Sequence, residues 1–222
     1  MKFMAMAALT AAVSGAASAA FTGYTVTSNT VGSLTAYQLF GNFNGGTDTV
    51  LNAFQINLVS GATVFHHADA LTGGVHSTVA GTWNPQFVLA PGAMDSFVCI
   101  GGGTGFASGN STNYDPDWGA AGFNQAQMPY GSTPTTGAGW FNGNPPNNQG
   151  RVNASGQVLL GQFVIGASDA EAVIQLRVGY NNGVSGSPVQ FGVGTFSIGV
   201  PVPTPGAIAL LGLAGLAGRR RR

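Results

Sequence analysis

Three histidines stand close together, His66, His67 and His76, with Asp69 among them. Imidazole and carboxylate are the ligands a zinc ion prefers. The spacing argues against that use. His66 and His67 are adjacent, so a strand sends them to opposite faces, and the eight residues between His67 and His76 match no zinc spacing. The expectation is a polar turn after a strand. A second cluster is "NYDPDWG", which places Asn113, Asp115 and Asp117 at alternate positions. Alternate oxygens open a calcium loop. Here Trp118 occupies the place of the glycine that follows the third ligand, and Asn124 stands where the closing glutamate belongs. The expectation is an Asx and proline turn that positions Trp118, with calcium in another loop geometry as the alternative.

Nucleophilic and phosphate chemistry find no support. "GGGTG" at 101–105 has no following lysine, and "FASGN" at 106–110 is not a serine elbow. Glycoside hydrolysis needs two juxtaposed carboxylates. Asp169 and Glu171 are near neighbours, but at a strand start solvated acids are ordinary. No enzyme, metal or cofactor is expected. Trp118, Tyr130 and Trp140, with Trp83, have the chemistry to stack on sugar rings, and Asn and Gln lie near them. They are candidate glycan contacts, although aromatics in long loops more often plug those loops onto a sheet. Asn110-Ser111-Thr112 and Asn153-Ala154-Ser155 are sequons.

The elements that must position these residues read as strands. Glycine is abundant, charge is sparse, and β-branched and aromatic runs are bounded by Gly, Asn and Pro. Strands are expected at 22–29, 34–43, 49–59, 62–66, 86–90, 94–101, 157–165, 171–180 and 189–199. In "EAVIQLRVGY", Ile174, Leu176, Val178 and Tyr180 alternate with Gln175, Arg177 and Gly179. In "TVLNAFQINLVS", Phe54, Ile56 and Leu58 oppose Gln55 and Asn57. Period two means one buried and one wet face. Asn44-Gly45-Gly46 suggests a hairpin between two of these runs. The fold class is therefore all-β: an antiparallel β-sandwich of jelly-roll or Ig-like type with long aromatic-containing loops. Residues 101–150 hold too many rings for disorder. They are expected to be ordered loops pinned by aromatics, with a short strand or helical turn near 119–128. Cys99, the single cysteine, sits in the apolar "DSFVCIGGG" and reads as a small core hydrophobe.

The two ends differ from the middle. Lys2, the apolar stretch from Phe3 to Val13 and the small residues Ala17-Ser18-Ala19 form a secretory signal peptide, residues 1–19. Residues 20–200 make one domain. Within it two arginines, Arg151 and Arg177, face seven acids, a net charge of −5, and there is no lysine. Binding nucleic acid through clustered basic residues is thereby excluded. Residues 201–222 form a tail. Gly206 to Gly218 is apolar and carries Ile208, Leu210, Leu211, Leu213 and Leu216; as a helix it is about 20 Å long. A full membrane span needs about twenty residues, so this is a short membrane helix. Arg219, Arg220, Arg221 and Arg222 hold its far end on the cytoplasmic side.

Pro203-Thr204-Pro205, the apolar run and the arginine cluster together resemble the PEP-CTERM sorting domain of bacterial exported proteins. Thr204 stands where that family typically has glutamate. The resemblance implies export through the Sec machinery, cleavage by signal peptidase, and recognition of the tail by an exosortase-like processing enzyme. It also implies transient anchoring in the inner membrane, then release to the cell envelope, cell surface or medium, often with extracellular polysaccharide. A plain C-terminal anchor that is never cut is the alternative. "DTVLNAFQINL" (48–58), "GTWNPQF" (81–87), "MDSFVCIGGG" (94–103) and "DPDWGAAGFNQA" (115–126) are similar to a planctomycete type of PEP-CTERM protein, from which no activity carries over. The expected function is an exported cell-surface or extracellular-matrix structural protein. The alternative is a polysaccharide-binding module that uses the 101–150 loops.

Overall fold

The structure is a computed structural model and describes residues 19–68, 75–76, 83, 94–102, 110–118, 128–133 and 135–201. Residues 1–18 of the signal segment and 202–222 of the sorting tail, with Thr204, its prolines and the four arginines, lie outside the described residues, as do the expected strand at 86–90 and residues 119–127. The strands are β1 (Phe21–Val31), β2 (Leu34–Phe43), β3 (Thr49–Ser60), β4 (His67–Ala68), β5 (Val75–His76), β6 (Phe97–Val98), β7 (Thr112–Tyr114), β8 (Trp140–Asn142), β9 (Gln157–Gly166), β10 (Ala172–Asn181) and β11 (Gln190–Ile198). Six long strands fall where period-two patterning and turn residues place them. Two short 3-10 turns, Pro116–Trp118 and Pro145–Asn147, are the only helical elements among the described residues.

The strands form two antiparallel sheets over one core, with a two-stranded β4–β5 pair apart. The first sheet has the order β1-β2-β9-β6 and the second β11-β10-β3-β8-β7. Leu39, Leu160, Phe163 and Ile165 from the first meet Ile56, Ile174, Leu176 and Val178 from the second, all fully buried. Each such side chain contributes roughly 1.5–3 kcal/mol by leaving water. Ile174, Leu176, Val178 and Tyr180 face the core as their alternation requires, and Arg177 faces outward. One side of the sandwich closes where Phe21 and Tyr24 of β1 lie on Gly192 and Gly194 of β11. A Cβ at either glycine would run into those rings.

Four expectations are corrected or narrowed. Asn44-Gly45-Gly46 does not make a hairpin, because β2 and β3 belong to different sheets. The turn is a corner. Asp48 is buried, its carboxylate accepts from the Gly45 amide at 2.9 Å, and its carbonyl accepts from Val152 at 2.9 Å. These bonds turn the chain out of one layer and into the other. Next, β3 does not keep one phase. Gln55 has φ of 55° and forms a bulge, so Phe54 pairs with Arg177 on the outer face while Ile56 stays in the core. Third, 62–66 is not a strand. Its amide bond to the first sheet is that of His66 to Val164 at 2.9 Å, and ladder pairing starts at His67. The expected strand at 94–101 narrows to β6, since Gly101 and Gly102, with φ of 68° and 96°, bend the chain away.

Candidate functional site

The chemistry-bearing residues converge on one end of the core, where the indoles of Trp118 and Trp140 are hydrogen-bonded and the buried indole nitrogen of Trp83 has no hydrogen-bond partner among the described residues. Trp83, Trp118 and Trp140 form an edge-to-face series with ring centroids 5.7 and 6.2 Å apart. Tyr114 packs on Trp118 at 5.6 Å and Phe65 on Trp83 at 5.0 Å. Trp140 is fully buried and Trp118 is 2% exposed. The indole of Trp118 donates to the Gly139 carbonyl at 2.8 Å, and that of Trp140 to the Cys99 carbonyl at 2.9 Å. Tyr130 is partly buried against the same core, with its hydroxyl 3.2 Å from that of Thr63. Burial pushes its phenol up to about 12, and the Thr63 hydroxyl moderates the rise. Of the candidate glycan contacts, Trp118 and Trp140 hold their rings inside the core, and Tyr130 is only partly buried. The tryptophan rings plug the loops onto the sheets, and a sugar has no ring face there to stack on.

The motif that suggested calcium serves the same end. The Asp115 carboxylate accepts from the Gly139 amide, and the Asp115 amide donates back to the Gly139 carbonyl at 3.1 Å. The Trp118 amide closes the turn onto the Asp115 carbonyl at 3.3 Å. Asn113 is exposed on β7, opposite Phe141. Of the three candidate ligands, then, Asp115 is engaged by backbone and Asn113 points away; the side chain of Asp117 lies outside the described residues.

The histidines also separate. His66 is half-buried while His67 is buried, with its ring 4.8 Å from Trp83. Nδ1 of His67 lies 2.9 Å from the Ser96 carbonyl and 3.8 Å from Asp95 Oδ1. Ser96 in turn bonds the His66 carbonyl at 2.7 Å and the Val164 amide at 2.9 Å. This cluster fastens the segment before β6 to β9. Register pairs His67 with His76 across β4 and β5. Among the described residues, no group of three or more His, Cys, Asp or Glu side chains could hold a metal ion. Cys99 is buried, its thiol 3.7 Å from the Leu159 carbonyl, and burial raises its pKa well above the usual thiol range. It is inert to oxidation and metal binding by that geometry.

An amide network orders the 110–150 region. Gln149 receives the Ser111 amide at 2.8 Å and donates to the Ile100 carbonyl at 2.7 Å and to Asn110 Oδ1 at 2.9 Å. Ser111, Asn142 and Asn147 close a ring of side-chain bonds at 2.6, 3.0 and 2.7 Å. The sequon asparagines take part in such bonds: Asn110 Oδ1 also accepts from Thr112, and Asn153 Oδ1 accepts from Ser155 and Gln157.

Neither a known protein-family model nor a curated protein sequence matches this chain.

Two surface features lie apart from these clusters. A groove of about 370 Å³ is lined by Thr49, Leu51, Pro145, Asn148, Asn181 and the 183–186 turn, with no carboxylate, imidazole or thiol in its wall. On the outer face of the second sheet, the Arg177 guanidinium lies 4.9 Å from the Phe191 ring centroid and 5.6 Å from that of Phe54. The two rings meet edge-on at 5.9 Å. Sequence patterning places Arg177 outward but sends Phe54 inward, so this cluster becomes visible only with the bulge at Gln55.

Proposed function

We propose that this chain is an exported cell-surface or extracellular-matrix structural protein. Its body is a non-catalytic β-sandwich of jelly-roll or Ig-like type, and its tail is a PEP-CTERM-like sorting signal. In this reading Pro203, Thr204 and Pro205 mark the processing region, Gly206 to Gly218 insert in the membrane, and Arg219 to Arg222 fix the orientation. An exosortase-like enzyme is the processing partner, after Sec-dependent export and signal peptidase cleavage.

The observation that carries the reading is the placement of the two ends of the domain. The Phe21 amide bonds the Tyr180 hydroxyl, at the end of β10 where β11 begins. Val200 leaves at the other end, where its amide bonds the Asp169 carbonyl at 2.8 Å and its carbonyl accepts from Glu171. The nine residues of β11 separate these poles by roughly 27 Å. A tail held in a membrane would then sit at one pole, while the Asn44 corner, the 183–186 turn and the groove between Pro145 and Asn181 point outward at the other. The surplus of acid over base in the domain suits a body kept in solution above an anionic surface. No helix among the described residues is long and apolar enough to cross a membrane.

The test is the intact mass of the protein, fraction by fraction, in the cell that makes it. Sorting predicts a mass that begins near Ala20, ends before Gly206, and is recovered from the surface or the medium. A protein that keeps Arg219 to Arg222 and stays with the inner membrane overturns the sorting role.

A further inference from the structure

We propose that β11 pairs with β11 of a second copy of this chain, antiparallel, about a two-fold axis at Gly194. An edge strand carries a row of backbone donors and acceptors that no neighbour satisfies, and folded proteins guard it with charge, proline, a bulge or shortness. β11 has none of these guards. Its nine residues, QFGVGTFSI, contain no Lys, Arg, Asp, Glu or Pro. It pairs with β10 without a register shift, and among the described residues it pairs with nothing else. The other edges of the sandwich differ. β6 and β7 are two and three residues long. β1 is as long and as uncharged, with its register shift confined to Phe21 and Gly23, but apart from Val31 the residues it exposes are Thr, Ser and Asn.

The side chains suit the same contact. Phe191 and Val193 are 54% and 60% exposed, on a strand whose inner face is already packed against Phe21 and Tyr24. Gly194 is the middle residue of β11, so an axis there pairs all nine residues. Val193 then stands opposite Thr195 of the second copy, and Phe191 opposite Ser197. Cross-strand contact covers the exposed ring and the valine. Charge is also compatible. Asp169 and Glu171 lie near the Ile198 end, and antiparallel pairing sends the two acidic pairs to opposite ends. Arg177, beside Val193 on β10, would lie three strand spacings from its copy, roughly 14 Å, which exceeds the screening length of about 8 Å in physiological salt.

The pairing does not depend on how the tail is sorted, so its failure and that of the sorting reading are separate results. The experiment is sedimentation velocity of the full chain in mild detergent over a range of concentrations, with amide exchange along β11. Pairing predicts a dimer in which successive β11 amides are all protected, and in which alternate ones lose protection on dilution. V193K/T195K places lysine opposite lysine twice and should raise the dissociation constant by about tenfold or more. V193K/T195E places opposite charges together and should restore the dimer. Both positions are exposed, and near-ultraviolet circular dichroism checks that the variants fold. A monomer at every concentration overturns the proposal. So does a dimer indifferent to V193K/T195K, which would be held elsewhere, the tail included. A dimer that V193K/T195E fails to restore overturns the axis at Gly194. Should a variant not fold, the exchange pattern of the unaltered protein decides alone.

Discussion

Asp115 and Gly139 are joined in both directions, the carboxylate of one to the amide of the other and the amide of the first back to the carbonyl of the second. The pair closes a loop of more than twenty residues and sets Trp118 against Trp140. A carboxylate already bonded to a backbone amide is a poor calcium ligand. Asp115→Ala should cost about 1–3 kcal/mol by leaving the Gly139 amide unsatisfied. Adding calcium or a chelator should leave the melting temperature of the unaltered protein unchanged. A rise in melting temperature with calcium would return the loop to the metal-binding reading.

Trp118 and Trp140 distinguish plug from platform. Trp118→Ala should lower stability by about 3–5 kcal/mol, as expected for emptying a core site of that size. Trp118→Phe should recover most of the packing but not the bond to the Gly139 carbonyl. A variant that melts like the parent, yet elutes early from an immobilised glycan, would show the ring to be a surface contact after all.

The strands legible in the sequence are those whose side chains alternate against a single large core. β10 lies where Ile174, Leu176 and Val178 place it and β11 alternates likewise, whereas β9 is buried without alternation from Val158 to Ile165. What was not legible depends on partners distant in the chain. β7 and β8 have three residues each and no periodic signal; they exist because Thr112–Tyr114 pairs with Trp140–Asn142 and Ala53 pairs with Trp140. The corner at Asn44 looks like a hairpin locally and is decided by Asp48 and Val152. The candidate site was legible as a set of residue types and not as an environment. Nothing in the spacing of Trp118 or His67 reveals that Gly139, Ser96 and Asp95 wait for them.

The bulge at Gln55 is a case where one residue sets the phase of a strand. Its φ of 55° is a conformation β-branched residues resist. Gln55→Val should destabilise by about 1–2 kcal/mol. Gln55→Gly should be close to neutral, trading backbone ease against the bonds to the Thr135 carbonyl at 2.9 Å and to Arg177 at 3.5 Å. Deleting Gln55 should be tolerated better than Val, because Phe54 and Ile56 then become consecutive and a regular strand already sends them to opposite faces. Chemical denaturation of the three variants gives the order, and equal midpoints for Val and Gly would rule out the strained conformation.

Alkaline pH should unfold the domain through groups that the core keeps protonated. Burial raises the Tyr24, Tyr114 and Tyr130 phenols above their usual 10.0 and the Cys99 thiol above its usual 9.0; the charge of Cys99 raises Tyr114 further. The hydroxyls of Tyr24 and Tyr114 donate to the carbonyls of Leu176 and Trp83, so ionisation would leave a phenolate facing a carbonyl oxygen. Each group binds its proton more tightly folded than unfolded, so the unfolded chain releases protons first. Their contribution to stability is complete below about pH 9 and is lost as pH rises. For Tyr130 the loss runs from 10.0 to about 12. Phenolate absorbance and near-ultraviolet circular dichroism, followed together, should therefore change in one cooperative step for the buried tyrosines. Tyr130→Phe should shift that step slightly to higher pH, since it removes one phenol that the unfolded chain ionises more easily, the one with the smallest rise of the three, while giving up only the contact with Thr63. Buried tyrosines that ionise near pH 10 with circular dichroism intact would show that these phenols reach water in the folded state.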